Sequence, residues 1–213
     1  MQRYINPSLE QWKVLTQRGA ASYSSLEPLA KEVFDNVAQY GDQALKTYTE
    51  KFDKVKLEGF SVDPKEIELA KNRVPDKLKL AIQKAKKNIY LFHKAQITEE
   101  VKVEIQTGVN CWQKKLPIEK VGLYIPGGSA PLFSTILMLA IPAQVAGCES
   151  IVLCSPPDSK GQLSDVILYT ANLCGINTIF KVGGMQAIAG MTLGTETIPK
   201  VDKLFGPGNQ YVT

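Results

Sequence analysis

VGLYIPGGSAPLFSTILMLAIPAQVAGCESIVLCSPP, residues 121–157, holds a complete strand–helix–strand unit. Val121–Ile125 is a compact apolar run ended by Pro126-Gly127-Gly128, which marks a strand and the turn that closes it. Pro131–Val145 reads as a helix, with a bend or interruption expected before Pro142, where proline removes a helical donor. Ser150–Cys154 is the next apolar run of strand length. Strands this short and this uniformly apolar are covered by helices on both faces. A helical crossover between them requires parallel pairing with the usual right-handed connection.

Downstream the alternation continues, with a helix over Leu163–Leu173, a strand over Thr178–Val182, a helix over Met185–Leu193 and a strand over Lys203–Phe205. The predicted class is α/β, a Rossmann-like parallel sheet with helices on both faces, occupying residues 116–213 as a domain. Upstream the grammar changes. Only four of the 16 glycines precede residue 116, and residues 1–115 read as a mainly helical region with strands near 101–116. Leu26, Leu29, Ala30, Val33, Phe34 and Val37 recur at three and four, one face of a helix that stops at Tyr40-Gly41. Asp42 is placed to cap a short helix through Phe52. Asp63-Pro64-Lys65-Glu66 has the form of a capping box with proline at the first helical position. After Pro75, the residues Leu78, Ile82, Ala85, Ile89 and Phe92 form one stripe along the longest helix. Val101, Val103 and Ile105 then alternate with polar residues, and Val109–Leu116 is a further strand joined to them through Gly108.

Composition narrows the function classes. The longest apolar run, Ile136–Ile141, falls far short of the roughly 20 residues a membrane helix needs. The N-terminus lacks the apolar core of a signal peptide, so the expected location is the cytoplasm. Cys111, Cys148, Cys154 and Cys174 form no C-x-x-C pair, and they are expected to be reduced and buried. With His93 as the sole histidine, no cluster of metal-ligand spacing arises from His and Cys, and no nucleophile–base pair is evident. His93 itself reads as a surface or capping residue at a helix end. The net charge of +4 divides into +5 over residues 1–115 and −1 over residues 116–213. The excess lies on helices such as that of Lys84, Lys86 and Lys87, a solvated face rather than a nucleic-acid stripe. Glu196 and Asp202, either side of Pro199, are expected to stay solvated.

Ligands of an open parallel sheet bind beyond the carboxyl ends of its strands. Three such ends carry Gly-rich turns: residues 124–128 (YIPGG), 182–186 (VGGMQ) and 205–209 (FGPGN). Glycines permit close backbone approach, and helix starts present free amides to phosphate. None of the three is a G-x-G-x-x-G fingerprint, so the spacing by itself leaves a dinucleotide site and a ligand-free turn both open.

The same loops carry a resemblance. Residues 121–157 and 182–213 (VGGMQAIAGMTLGTETIPKVDKLFGPGNQYVT) are similar to the signature blocks of histidinol dehydrogenases, and residues 40–53 (YGDQALKTYTEKFD) and 92–96 (FHKAQ) fit the same family. The resemblance implies two successive NAD-dependent oxidations that convert L-histidinol to L-histidine, the last steps of histidine biosynthesis. It also implies zinc and a homodimer whose sites draw on both subunits. The family fold has two Rossmann-like domains. This chain is expected to supply one almost complete and the leading part of the other. Carried over by position, the cofactor-contacting residues are Tyr124, Gln186 and Asn209. The zinc ligands and the catalytic glutamate–histidine pair are expected beyond residue 213, so no catalytic or metal residue is assigned within the chain. Taken as it stands, the chain is expected to be a truncated piece, a binding or dimerisation module without turnover.

Overall fold

A computed structural model describes residues 3–16, 26–127 and 131–207. Four strands form one sheet: β3 (Lys120–Tyr124), β4 (Ser150–Ser155), β5 (Thr178–Lys181) and β6 (Lys203–Phe205). All are parallel and lie in the order β5-β4-β3-β6. The helices between them are α5 (Phe133–Ala146), α6 (Asp165–Leu173) and α7 (Gly184–Leu193). Ahead of the sheet come α1 (Leu9–Leu15), α2 (Glu27–Tyr48), a π-helical turn over Thr49–Asp53, α3 (Pro64–Arg73), α4 (Asp76–Lys94) and a hairpin of β1 (Val101–Gln106) and β2 (Val109–Gln113). The α/β class read from the sequence is the class observed.

Because successive side chains of a strand point to opposite faces, β3, β4 and β5 each feed two cores. Leu123, Leu153 and Ile179 enter one core, shared with α3, α4, α5 and α6. Tyr124, Val152, Cys154 and Phe180 enter the other, shared with α2 and α7. The helices that precede the sheet in sequence are thus part of its cover: α2 packs on α7, α3 on α6 and α4 on α5. Phe60 to Val62 runs antiparallel along β5, with the Val62 N–H donating to the Ile179 carbonyl (3.0 Å) and the Lys181 N–H to that of Phe60 (2.8 Å). This closes one edge of the sheet.

Local signals explain most boundaries. Asp63 accepts from the Lys65 N–H at 2.7 Å while Glu66 accepts from the Asp63 N–H at 3.1 Å, the capping box expected from the sequence. At Gly41 the helical run breaks, with φ 49° and ψ −127°, a region essentially closed to other residues. A Cβ there would also collide with the Glu196 carboxylate. That carboxylate accepts from the Asp42 N–H at 2.8 Å, and the Asp42 side chain turns away to accept from the Thr197 hydroxyl and N–H. The cap after Gly41 is therefore Glu196, and Asp42 is spent on tying α2 to the segment after α7.

Several expectations are corrected. Glu196 and Asp202 are exposed, as expected, but they are not idle: each accepts from a distant backbone N–H, Asp202 from Lys120 at 3.0 Å. The helix α5 starts at Phe133 and is not interrupted at Pro142, although proline lacks the N–H that would meet the carbonyl of Met138, a residue on the exposed side of the helix. Phe92 is 66% exposed although Leu78, Ile82, Ala85 and Ile89 pack as the stripe predicts. The cause is length: α4 has 19 residues and its partner α5 has 14. The hairpin β1–β2 stands apart from the parallel sheet and is exposed along both strands, so Cys111 is exposed; Cys148 is half-buried. Among the described residues no helix is long and apolar enough to cross a membrane.

Replacing Gly41 by alanine forces both a disfavoured backbone and a clash with the carboxylate that caps the helix. The expected loss is about 2–3 kcal/mol of stability in urea denaturation. A loss below about 0.5 kcal/mol would show that the break is not required.

Candidate dinucleotide site

In sheet order, β4 and β5 follow β3 to one side, and the chain then crosses back to place β6 on the other side. The carboxyl ends of β3 and β6 therefore flank the point where the winding reverses, the place at which doubly wound sheets bind their ligands. Tyr124 is the last residue of β3, and the exit from β6 lies directly against it: a Cβ on Gly206 would stand 2.5 Å from the Tyr124 carbonyl oxygen. The neighbouring loops are drawn equally tight. Side chains at Gly127 or Gly183 would collide with the Pro156 ring.

Beyond these strand ends opens a cavity of about 720 Å³, walled by Phe52, Asp53, Tyr124, Pro156, Ile167 and Gln186 among others. Cofactor and ligand clefts are commonly of this size. Tyr124 is buried, and its hydroxyl accepts from the Gly184 N–H at 3.0 Å, holding the first residue of α7 in place. Burial pushes the Tyr124 hydroxyl above its ordinary pKa, the Gly184 bond opposes this, and the charges of Asp53 and Cys154 add to the rise. Two residues on, Gln186 is fully buried. Its Nε2 donates to Asp53 Oδ2 at 3.2 Å, and its Oε1 has no partner among the described residues.

Asp53 ends the π-helical turn that follows α2, and the chain leaves it through Lys54 in the left-handed conformation, φ 59°. Burial raises its carboxyl to about 6, with the Gln186 bond pulling the other way. The sequence offered no separate signal for Asp53, which is the last residue of the 40–53 block. It reaches the cavity because α2 packs on α7.

Tyr124 and Gln186, expected on different loops, line the same cavity. Asn209, the third expected contact, lies outside the described residues. His93 plays no part here: its Nδ1 is 3.1 Å from Gln96 Oε1 and its ring meets Phe92 edge-on. Burial pushes the Cys154 and Cys174 thiols up, the latter to about 11, so neither is a ready nucleophile. Among the described residues no three His, Cys, Asp or Glu side chains converge as a metal centre requires.

The sequence matches the histidinol dehydrogenase family over residues 16–213. This chain belongs to that family. The histidinol dehydrogenase of Bacteroides thetaiotaomicron is 53% identical over 207 residues, which is 97% of this chain and 48% of that protein. That of Salmonella typhimurium is 53% identical over 207 residues, or 97% and 47%. The crystal structure of histidinol dehydrogenase from Elizabethkingia anophelis superposes with a TM-score of 0.94 at 54% identity, over 100% of this chain and 49% of that one. The chain spans about half the length of the histidinol dehydrogenases it matches.

The raised carboxyl of Asp53 has a consequence for stability. A carboxyl whose folded pKa lies above its unfolded value of 3.8 adds stability that is full below that value and is lost as pH rises through about 6. After allowance for partial solvent access, the loss amounts to about 1 kcal/mol. Asp53→Asn keeps an acceptor for Gln186 and cannot ionise. Its stability relative to wild type is therefore expected to be about 1 kcal/mol more favourable near pH 7.5 than near pH 4 in urea denaturation. A difference that does not change with pH would mean that Asp53 is solvated.

Proposed function

We propose that this chain is the N-terminal, dinucleotide-binding half of an NAD-dependent, zinc-binding histidinol dehydrogenase of the cytoplasm. The whole enzyme would oxidise L-histidinol to L-histidine in two successive steps of histidine biosynthesis. The observation that carries the cofactor reading is the Gln186 amide: fully buried, on the wall of a cavity at the reversal of the sheet, with Oε1 lacking a donor among the described residues. A buried acceptor left unmet costs about 1–3 kcal/mol, a cost that a ligand hydroxyl or amide N–H would remove. The residues fit NAD in that sense, and Tyr124, Gln186 and Asn209 are the side chains proposed to hold it.

When bound, NAD supplies the redox chemistry by taking up hydride from the substrate carbon. The residues of this chain bind and orient. Tyr124 fixes the start of α7 through the Gly184 N–H. Gln186 contributes an amide whose Oε1 has no donor among the described residues, and Phe52 and Ile167 add apolar wall to the pocket. The described side chains do not fit a zinc site. We assign its ligands, with the catalytic glutamate–histidine pair, to sequence beyond residue 213, as the resemblance implies. Assembly as a homodimer is supported by the apolar side chains that the hairpin leaves in solvent, Val101, Val103, Ile105 and Trp112.

The cofactor reading is tested by titrating NAD into the isotope-labelled chain. Shifts centred on Tyr124, Gly184 and Gln186 are expected, with Gln186→Ala raising Kd about tenfold. Shifts confined to other regions, or a Kd unmoved by the substitution, would defeat the reading. The assignment of catalysis elsewhere predicts no NADH formation by this chain from histidinol, NAD and zinc. Turnover comparable to that of a full-length relative would overturn that assignment.

A further inference from the structure

A carboxylate can only accept hydrogen bonds, whereas a primary amide can turn either end toward a neighbour. Asp53 therefore decides the orientation of Gln186: Nε2 must face Oδ2, and Oε1 is left on the side of Gly184. Gly184, with φ 60°, has no Cβ there; one would stand 3.0 Å from Oε1. Asp53 and Gln186 thus line the cavity together with acceptor capacity unspent: Gln186 Oε1, buried beside Gly184, has no donor among the described residues, and the Asp53 carboxylate accepts from no described residue but Gln186.

The rest of the wall sharpens the chemistry. The other acid among the described lining residues, Asp158, spends its Oδ1 on its own loop, accepting from the N–H groups of Lys160 at 2.8 Å and Gln162 at 2.9 Å. No lysine or arginine is among the described residues that line the cavity. A phosphate oxygen set against this pair would place acceptor against acceptor and charge against charge. Adjacent hydroxyls do the opposite, since each brings one donor to one waiting acceptor.

We propose that Asp53, with Gln186 held in register by it, binds the vicinal hydroxyls of a cofactor ribose and is a specificity-determining residue of the site. This rests on the reading of the cavity as a dinucleotide site. Asp53 arrives from the turn after α2, outside the sheet, so the site is completed by an element that carries none of the Gly-rich loops. The ionised carboxylate is the competent form, and with its carboxyl raised to about 6 it is available at neutral pH.

The test compares ligand and protein changes together. NAD and analogues lacking the 2′-hydroxyl of either the adenosine or the nicotinamide ribose are titrated into the labelled chain, wild type and Asp53→Asn. In the variant the two amides pair head to tail in either sense, and in either sense one donor is turned toward the ligand in place of an acceptor. Loss of the hydroxyl on one ribose is expected to weaken wild-type binding about tenfold and variant binding less than about twofold. The sensitive analogue identifies which ribose is bound. Equal losses in the two proteins, or no loss in wild type, would overturn the proposal while NAD binding itself left the cofactor reading standing. No NAD-dependent shifts at Tyr124, Gly184 and Gln186 up to about 10 mM would overturn both. Should Asp53→Asn fail to fold, the wild type decides: nuclear Overhauser contacts from ribose protons to the Gln186 and Phe52 side chains support the proposal, and their absence overturns it.

Discussion

A parallel sheet has two faces to bury, and most of this molecule answers that one constraint. The strands β3, β4 and β5 carry apolar residues on both sides, and each Leu or Ile removed from water contributes about 1.5–3 kcal/mol. The crossover helices α5 and α6 cover one face, and α7 lies on the other. That leaves the cover incomplete until α2, α3 and α4 pack over them. The N-terminal helices thus have their amphipathic stripes met by other helices, and the strands are enclosed in depth. The same arrangement sends every strand end to one side, where the loops converge on Pro156 and Tyr124.

What could be read from the sequence follows from how local each signal is. The Asp63–Glu66 capping box, the break at Gly41 and the strands of the sheet are set by residues within a few positions of one another, and all were legible. Features decided at long range were not. The exposure of Phe92 depends on where α5 stops, and the cap after Gly41 on Glu196, 154 residues from its partner Asp42. The cysteines divide likewise. Cys154 and Cys174 are buried by the cores, and Cys111 is left out because its hairpin joins neither of them.

The candidate site divides along the same line. Tyr124 and Gln186 sit in Gly-rich turns at strand ends, so turn chemistry and resemblance both pointed to them. Asp53 lies 133 residues before Gln186, in a stretch with no turn motif. Only the packing of α2 on α7 brings it to the cavity, and the π-helical turn sets its angle of approach. Its carboxyl in turn fixes the one degree of freedom that sequence never reports, the flip of an amide.

The two margins of the sheet are unlike. Beside β5 the chain has already laid down Phe60 to Val62, which consumes the backbone groups there. Beside β6, three residues long, no described segment occupies the corresponding seat. Among the described residues the layer is therefore directional: the margin beside β6 is the one left for an added strand. A parallel newcomer there would carry its own terminal loop to the far bank of the crevice that begins at Tyr124, widening it without disturbing the bank already built.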